Sequence, residues 1–175
     1  LSVPPEPHRH GDASTPLAFG LLTVSDTRNA ADDVSGPTMA ALVRAAGHSI
    51  FKSEILPDEP QEVRDCVLAW ALDPSCHAIV SSGGTGLSSR DRTVEALSEL
   101  FDVTIAGFGE LFRMLSFQEI GAAAMLSRAH AGVVRGTPVF VLPGSPAAVT
   151  LGLTQLVLPE IGHVVRELRR HGPAR

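Results

Sequence analysis

Apolar residues along the first half of the chain alternate between two rhythms. Residues 17–24 form a nearly continuous apolar run, which predicts a strand, and it ends in the polar Ser25-Asp26-Thr27-Arg28. After a loop over 29–34, Ser35-Gly36-Pro37 opens a helix, because proline is tolerated in a first helical turn. Met39, Leu42, Val43 and Ala46 give that helix one apolar face, and Gly47 stops it. Residues 49–56 alternate apolar and polar, the pattern of a second strand. The loop Pro57-Asp58-Glu59-Pro60 leads into a helix with Val63, Cys66, Val67 and Trp70 inward, closed by Asp73-Pro74. Ala78-Ile79-Val80 then reads as a strand buried on both faces. This β-α-β-α-β order predicts parallel strands joined by right-handed crossovers, with helices on both faces.

The second half is less regular. Residues 101–106 predict a strand, 109–115 a helix and 117–125 another. The segment from Gly132 to Leu142 reads as a hairpin turning at Arg135-Gly136, with 139–142 a core strand. Pro143-Gly144-Ser145-Pro146 is a strand-to-helix turn with Ser145 as N-cap and Pro146 at the first helical position. Helices over 146–157 and 159–170 complete the pattern, the last with Ile161, Val164, Val165 and Leu168 inward. The expectation is an α/β fold, a three-layer α/β/α sandwich with a mostly parallel central sheet, over residues 17–170. Residues 1–16 hold four prolines and two histidines (His8, His10) and read as a disordered leader, and 171–175 as a tail.

Composition narrows the function. A chain of 175 residues suits one domain. No apolar run approaches the roughly 20 residues of a membrane span, and nothing at the start has signal-peptide character, so a cytoplasmic location is expected, with no membrane partner. Net charge is −5, with no basic stripe beyond Arg166, Arg169, Arg170 and Arg175, which argues against nucleic acid as a partner. Lys52 is the single lysine, so cationic chemistry falls to arginine, which suits bidentate anion contacts. Cys66 and Cys76 lack CxxC spacing and read as buried thiols.

The candidate chemistry lies after the third strand. Ser81-Ser82 breaks into Gly83-Gly84-Thr85-Gly86, and Arg90, Asp91 and Arg92 follow before a helix begins at Thr93 and Glu95. A strand that opens into a glycine turn and then a helix presents outward amides, the makings of an anion site. In an open parallel sheet, ligands bind beyond the carboxyl ends of the strands. Four polar loops gather there if the topology holds: Ser25 to Arg28, Pro57 to Glu59, Ser82 to Gly86 with Asp91, and Pro143 to Pro146. Two glycine turns could hold phosphates, two or three carboxylates a hard cation such as Mg²⁺, and Arg28 or Arg90 could neutralise charge. That inventory suits phosphoryl or nucleotidyl transfer. Read one by one, each loop is equally a capped turn.

Ser81-Ser-Gly-Gly-Thr-Gly-x-x-x-Arg-Asp-x-Thr, the run Gly107-Phe-Gly-Glu-Leu-Phe-Arg with Ser127-Arg128, and Leu142-Pro-Gly-Ser-Pro together resemble the MoaB/Mog family of molybdenum-cofactor biosynthesis proteins. The resemblance runs over about 19–168. It implies a homotrimer or hexamer that adenylylates molybdopterin with ATP and Mg²⁺, with the molybdate-insertion protein of the pathway as a partner. By the same resemblance Asp58 and Asp91 are the catalytic, magnesium-associated carboxylates. Ser25, Asp26, Ser82, Gly83, Gly84, Thr85, Gly86, Pro143, Gly144 and Ser145 line the pterin and nucleotide phosphate site, and Glu110 and Arg113 face it. Two further readings stay open: a non-catalytic molybdopterin-binding or scaffold protein on the same fold, and a flavodoxin-like nucleotide binder, against which the Gly107 to Arg113 segment argues.

Overall fold

The computed structural model describes residues 15–26 and 32–170; the expectations on His8, His10, most of the leader, Thr27, Arg28 and the 171–175 tail lie outside them. Within them the first half follows the sequence rhythms. Strand β1 (Ala18–Val24) leads to helix α1 (Ser35–Ala45), then β2 (Ser49–Leu56), α2 (Pro60–Leu72) and β3 (Ala78–Ser82). β1 pairs in parallel with β2 on one side and with β3 on the other. β3 pairs in parallel with β6 (Thr137–Leu142), and β5 (His130–Val134) and β4 (Val103–Thr104) add an antiparallel edge. The resulting order, β2-β1-β3-β6-β5-β4, reverses chain direction across the sheet at β1 and β3. Such a reversal leaves a crevice beyond the strand ends.

Side chains alternate across the sheet, and each face has its own core. Phe19, Leu21, Ala78, Val80, Phe140 and Leu142 face α1 and the helices of the second half. Leu22, Val24, Ile79, Val139 and Val141 face α2 and helix α3 (Thr93–Ser98), with Val63, Val67 and Trp70 packed against them. The period of two that sends neighbours to opposite faces makes this a three-layer sandwich, mixed in strand direction and parallel over its four core strands.

The second half departs from expectation in three places. The strand predicted over 101–106 shrinks to the two residues of β4, because the Phe101 amide turns back to Ser98 O at the end of α3 and Ala106 already opens the next helix; the Phe101 ring lies over Gly132 and beside His130 at 5.4 Å. The two helices predicted over 109–115 and 117–125 are one α4 (Ala106–Ile120), followed by a 3-10 turn over Gly121–Leu126. Phe108, Phe112 and Ser116 keep an unbroken buried stripe through the expected gap. The hairpin turn at Arg135-Gly136 is as read, with both residues at positive φ.

The C-terminal helices also merge, into one helix over Pro146–Arg170 built of α5 (Pro146–Gly152), a π-helical turn (Leu153–Val157) and α6 (Leu158–Arg170). Pro159 has no amide to donate and its ring crowds the preceding turn; the wider π turn absorbs that conflict where a break was expected. This helix is long and apolar enough to cross a membrane, contrary to the reading of separate short runs. Its apolar stripe, Val149, Leu153, Val157, Ile161 and Val165, is buried against the sheet, the position of a core helix.

Candidate functional site

The carboxyl ends of β1, β2, β3 and β6 enclose a cavity of about 430 Å³. Its floor is the glycine turn after β3. Gly83 (φ 106°) and Gly84 (φ 61°) take backbone angles that side chains rarely adopt. Space forbids a side chain as well: a Cβ on Gly83 would stand 2.1 Å from the Val24 carbonyl oxygen, and one on Gly84 2.0 Å from Thr93 Oγ1 and 2.8 Å from Asp58 Oδ2. The turn is pinned by the Gly83 amide donating to Leu142 O at 3.0 Å and the Thr93 amide donating to Gly84 O at 3.1 Å. Among the described residues the amides of Gly84, Thr85 and Gly86 donate to no backbone acceptor, so they are available to an anion.

Three carboxylates reach this cavity, each held differently. Asp26 accepts the Asp58 amide at 2.9 Å and Arg90 Nε at 2.7 Å. The Asp58 amide first, and Arg90 second, hold its carboxyl below the usual carboxylate range. Asp58 is buried, and that burial pushes its carboxyl up, with the charges of Asp91 and Asp26 acting in the same sense. The Arg92 amide and the Thr93 hydroxyl, at 3.5 Å, oppose the rise. Asp91 accepts the Ser88 amide at 3.1 Å and packs its carboxylate where a Gly86 side chain would be. Arg90 also stands 3.7 Å from Glu59, and its pairing with Asp26 is solvent-exposed, so it serves charge and position more than stability.

Of the residues read from the sequence, Ser25, Asp26, Asp58, Gly83, Gly84, Thr85, Gly86, Asp91 and Gly144 line one cavity. Ser82 lies fully buried beneath it, its hydroxyl without a partner among the described residues. Pro143 and Ser145 flank Gly144 without lining the cavity, and Ser145 Oγ is engaged in capping α5 through the Ala148 amide at 3.2 Å. Glu110 and Arg113 are not brought in: Glu110 is exposed on α4, and Arg113 lies by Gly109 and acts on His130. The cysteines are thiols not joined in a disulfide, Cys76 buried as read and Cys66 only half-buried; burial, then Glu54, pushes the Cys66 thiol up to about 12, so it is inert at neutral pH.

Several groups that shape the site were given no role in the sequence reading. Asp33 is buried behind the rim, accepting Thr23 Oγ1 at 2.9 Å and the Gly36 amide at 3.0 Å. Its place three residues before Gly36 is an N-cap spacing that could have revealed it. Ser35 Oγ donates to Gly144 O at 2.8 Å and so ties the start of α1 to the second turn. Arg128 reaches the glycine loop from the far half of the chain, donating to Thr85 O at 3.0 Å. No local pattern announces that contact. On the outer side of this loop a second cavity, of about 330 Å³, is lined by Leu87, Ser89, Arg92, Glu95 and Arg128, and shares Gly86, Ser88 and Asp91 with the first.

The loops could bind phosphates through their amides, and Asp26, Asp58 and Asp91 carry hard oxygens that could ligate a cation, those of Asp26 already accepting from the Asp58 amide and Arg90. Among the described residues no three His, Cys, Asp or Glu side chains form a cage for a metal on their own.

Comparison with known proteins gives this arrangement a context. Residues 20–163 match the family model described as a probable molybdopterin binding domain. Molybdenum cofactor biosynthesis protein B of Bacillus subtilis is 48% identical over 151 residues, 86% of this chain and 89% of that protein. A crystal structure of a molybdenum cofactor biosynthesis protein B superposes with a TM-score of 0.88 at 42% identity, covering 91% of this chain and all of the other. The tungsten cofactor synthesizing protein MoaB of Pyrococcus furiosus gives 0.80 at 35% identity, over 90% and 99% of the two chains.

Proposed function

This chain belongs to the family of molybdenum cofactor biosynthesis protein B and its molybdopterin-binding domain, and on that premise we propose that it is a molybdopterin adenylyltransferase. In the proposed reaction a terminal phosphate oxygen of molybdopterin attacks the α-phosphorus of ATP. The bond from that phosphorus to the bridging oxygen breaks, giving adenylyl-molybdopterin and pyrophosphate.

The observation that carries the reading is the meeting of a glycine turn with two carboxylates, Asp58 and Asp91, in one cavity. Phosphate-bearing substrates meet open amides at Gly84 to Gly86, while a binding-only protein has no need of a buried, charge-crowded Asp58. The residues fit Mg²⁺. Asp58 and Asp91 offer hard oxygens, burial and like charge make ionised Asp58 seek a cation, and Mg²⁺ takes one or two carboxylates and fills the rest with water and phosphate oxygens. When bound there, Mg²⁺ supplies charge neutralisation across the reacting phosphates. The chain's own part is positional. The turn amides hold phosphate oxygens, Asp26 with Arg90 fixes the Asp58 loop, and the loop bearing Asp91 walls the cavity.

A homotrimer or hexamer goes with this reading. Leu111, Met114, Phe117 and Ile120 on α4, with Met125 and Leu126 beyond it, form an exposed apolar stripe that a second copy would cover. ATP as co-substrate supports a cytoplasmic location, and the adenylylated product supports the molybdate-insertion protein as the next partner. The test is incubation with molybdopterin, ATP and Mg²⁺, followed by chromatography. Pyrophosphate and adenylyl-molybdopterin in equal amounts, both requiring the pterin, are expected. Pterin binding with no pyrophosphate released would leave the binding-only reading in its place.

A further inference from the structure

We propose that Arg128 is a positioning residue: its guanidinium clamps the loop that separates the two cavities and thereby sets the Asp91 carboxylate. Arg128 sits between the 3-10 turn and β5, far in sequence from the loop it grips. Its Nε donates to Thr85 O at 3.0 Å, its Nη2 to Asp91 O at 2.6 Å, and its Nη1 pairs with the Glu95 carboxylate on α3. The two carbonyls lie at opposite ends of the loop over 85–91, so one side chain closes it. Inside the loop the Asp91 amide donates to Ser88 O at 3.0 Å, and Asp91 Oδ2 accepts the Ser88 amide.

The carboxylate is therefore fixed by the loop's closure, and the closure is held from behind by Arg128, which lines the outer cavity and not the inner one. Three acceptors in different directions need the planar fork of arginine; a lysine ammonium keeps the charge but cannot span both carbonyls and the carboxylate. The inference rests on the adenylyl-transfer reading for its kinetic consequence. The geometric consequence, a loosened loop, stands apart from it.

Arg64 provides the control. Its Nη1 also grips α3, through Ala96 O at 3.3 Å and Glu99, and its side chain is about as buried, but it does not touch the loop. Arg128→Lys, Arg128→Gln and Arg64→Lys are compared by turnover, half-saturating Mg²⁺, pterin dissociation constant, Mn²⁺ titration without substrates, and hydrogen exchange of loop amides. For both Arg128 variants kcat should fall by about tenfold or more, since small misplacements of a reacting group carry penalties of that order. Half-saturating Mg²⁺ and Mn²⁺ should rise, loop amides should exchange faster, and pterin affinity should change little. Arg64→Lys should lose thermal stability without any of these shifts. Arg128→Lys with wild-type turnover and wild-type loop exchange would overturn the proposal, as would Arg64→Lys reproducing its profile. If the wild type forms no adenylyl-molybdopterin, the transfer reading falls while exchange and Mn²⁺ titration still decide the role of Arg128.

Discussion

Asp26 Oδ1 accepts the backbone amide of Asp58 at 2.9 Å, so the end of β1 fixes the loop that follows β2. Arg90 engages the other oxygen of Asp26. Two carboxylates of one cavity are thus driven apart in character: Asp26 is kept ionised by its donors, while Asp58 is made reluctant to ionise by burial and by the charges of Asp91 and Asp26. Asp26 frames the cavity, and in the proposed reaction Asp58 is the one left to seek a cation.

That asymmetry has a thermodynamic consequence. The folded Asp58 carboxyl lies above its ordinary value of 3.8, so it binds its proton more tightly folded than unfolded. Its contribution is present below 3.8 and is lost as pH rises through the folded value. Asp58→Asn removes the burden and should melt above wild type at pH 7 in metal-free buffer, with the gap closing in acid. Calorimetry across pH reads this, and a variant less stable than wild type at neutral pH would contradict it.

Gly84→Ala should fail structurally as well as functionally. It forces φ 61° on alanine and drives a methyl into Thr93 and Asp58. Left-handed strain and overpacking each cost about 1–3 kcal/mol, so a loss of roughly 2 kcal/mol or more in urea unfolding is expected. An unchanged midpoint would mean that the turn is not held as described.

Much of this fold was legible because local pattern and tertiary role agree in the first half: β2 spans Ser49–Leu56, with the bounds its alternation gives. The nine cavity residues were legible because they follow strand ends, and strand ends share a rim in a parallel sheet. What failed was non-local. The long C-terminal helix hides behind Pro159, whose usual meaning is a break; only packing of the stripe from Val149 to Val165 on the sheet favours the π turn instead. The 101–106 strand failed because the Phe101 amide bonds back to Ser98 O and Ala106 already begins α4. Glu110 and Arg113 entered as site residues through the family resemblance alone; both lie on α4 and neither lines this cavity.

Acid should loosen the start of the sheet. The Leu17 amide donates to His48 Nδ1 at 3.2 Å, a bond that a protonated ring cannot accept. Burial holds His48 below its ordinary 6.5, so the unfolded chain takes up a proton first and stability is lost as pH falls below 6.5. His130 adds in the same sense, through burial and then Arg113. His48→Gln, whose carbonyl can still accept the amide, should show a shallower fall in melting temperature over that range. An equal slope would assign the effect elsewhere.

Phe117→Glu tests the proposed homotrimer or hexamer and should disperse it. Phe117 is 61% exposed at the middle of the α4 stripe, where a carboxylate would be buried between copies. Sedimentation should move from a trimer or hexamer toward the monomer while circular dichroism stays the same. An oligomer unaltered by the change would place the interface on another face.

The most direct measurement is adenylyl transfer by Asp91→Asn beside the wild type, at saturating ATP and Mg²⁺, with pterin binding recorded in parallel. Asparagine keeps the size of Asp91 but removes the charge that would hold Mg²⁺ beside the phosphates. Wild type should form adenylyl-molybdopterin, and Asp91→Asn should form essentially none while still binding pterin. Asp58→Asn should match it, and the double variant should lose little more, since groups acting as a unit are not additive. Product from Asp91→Asn at near wild-type rate would contradict the assignment, reducing these carboxylates to caps within a binding turn.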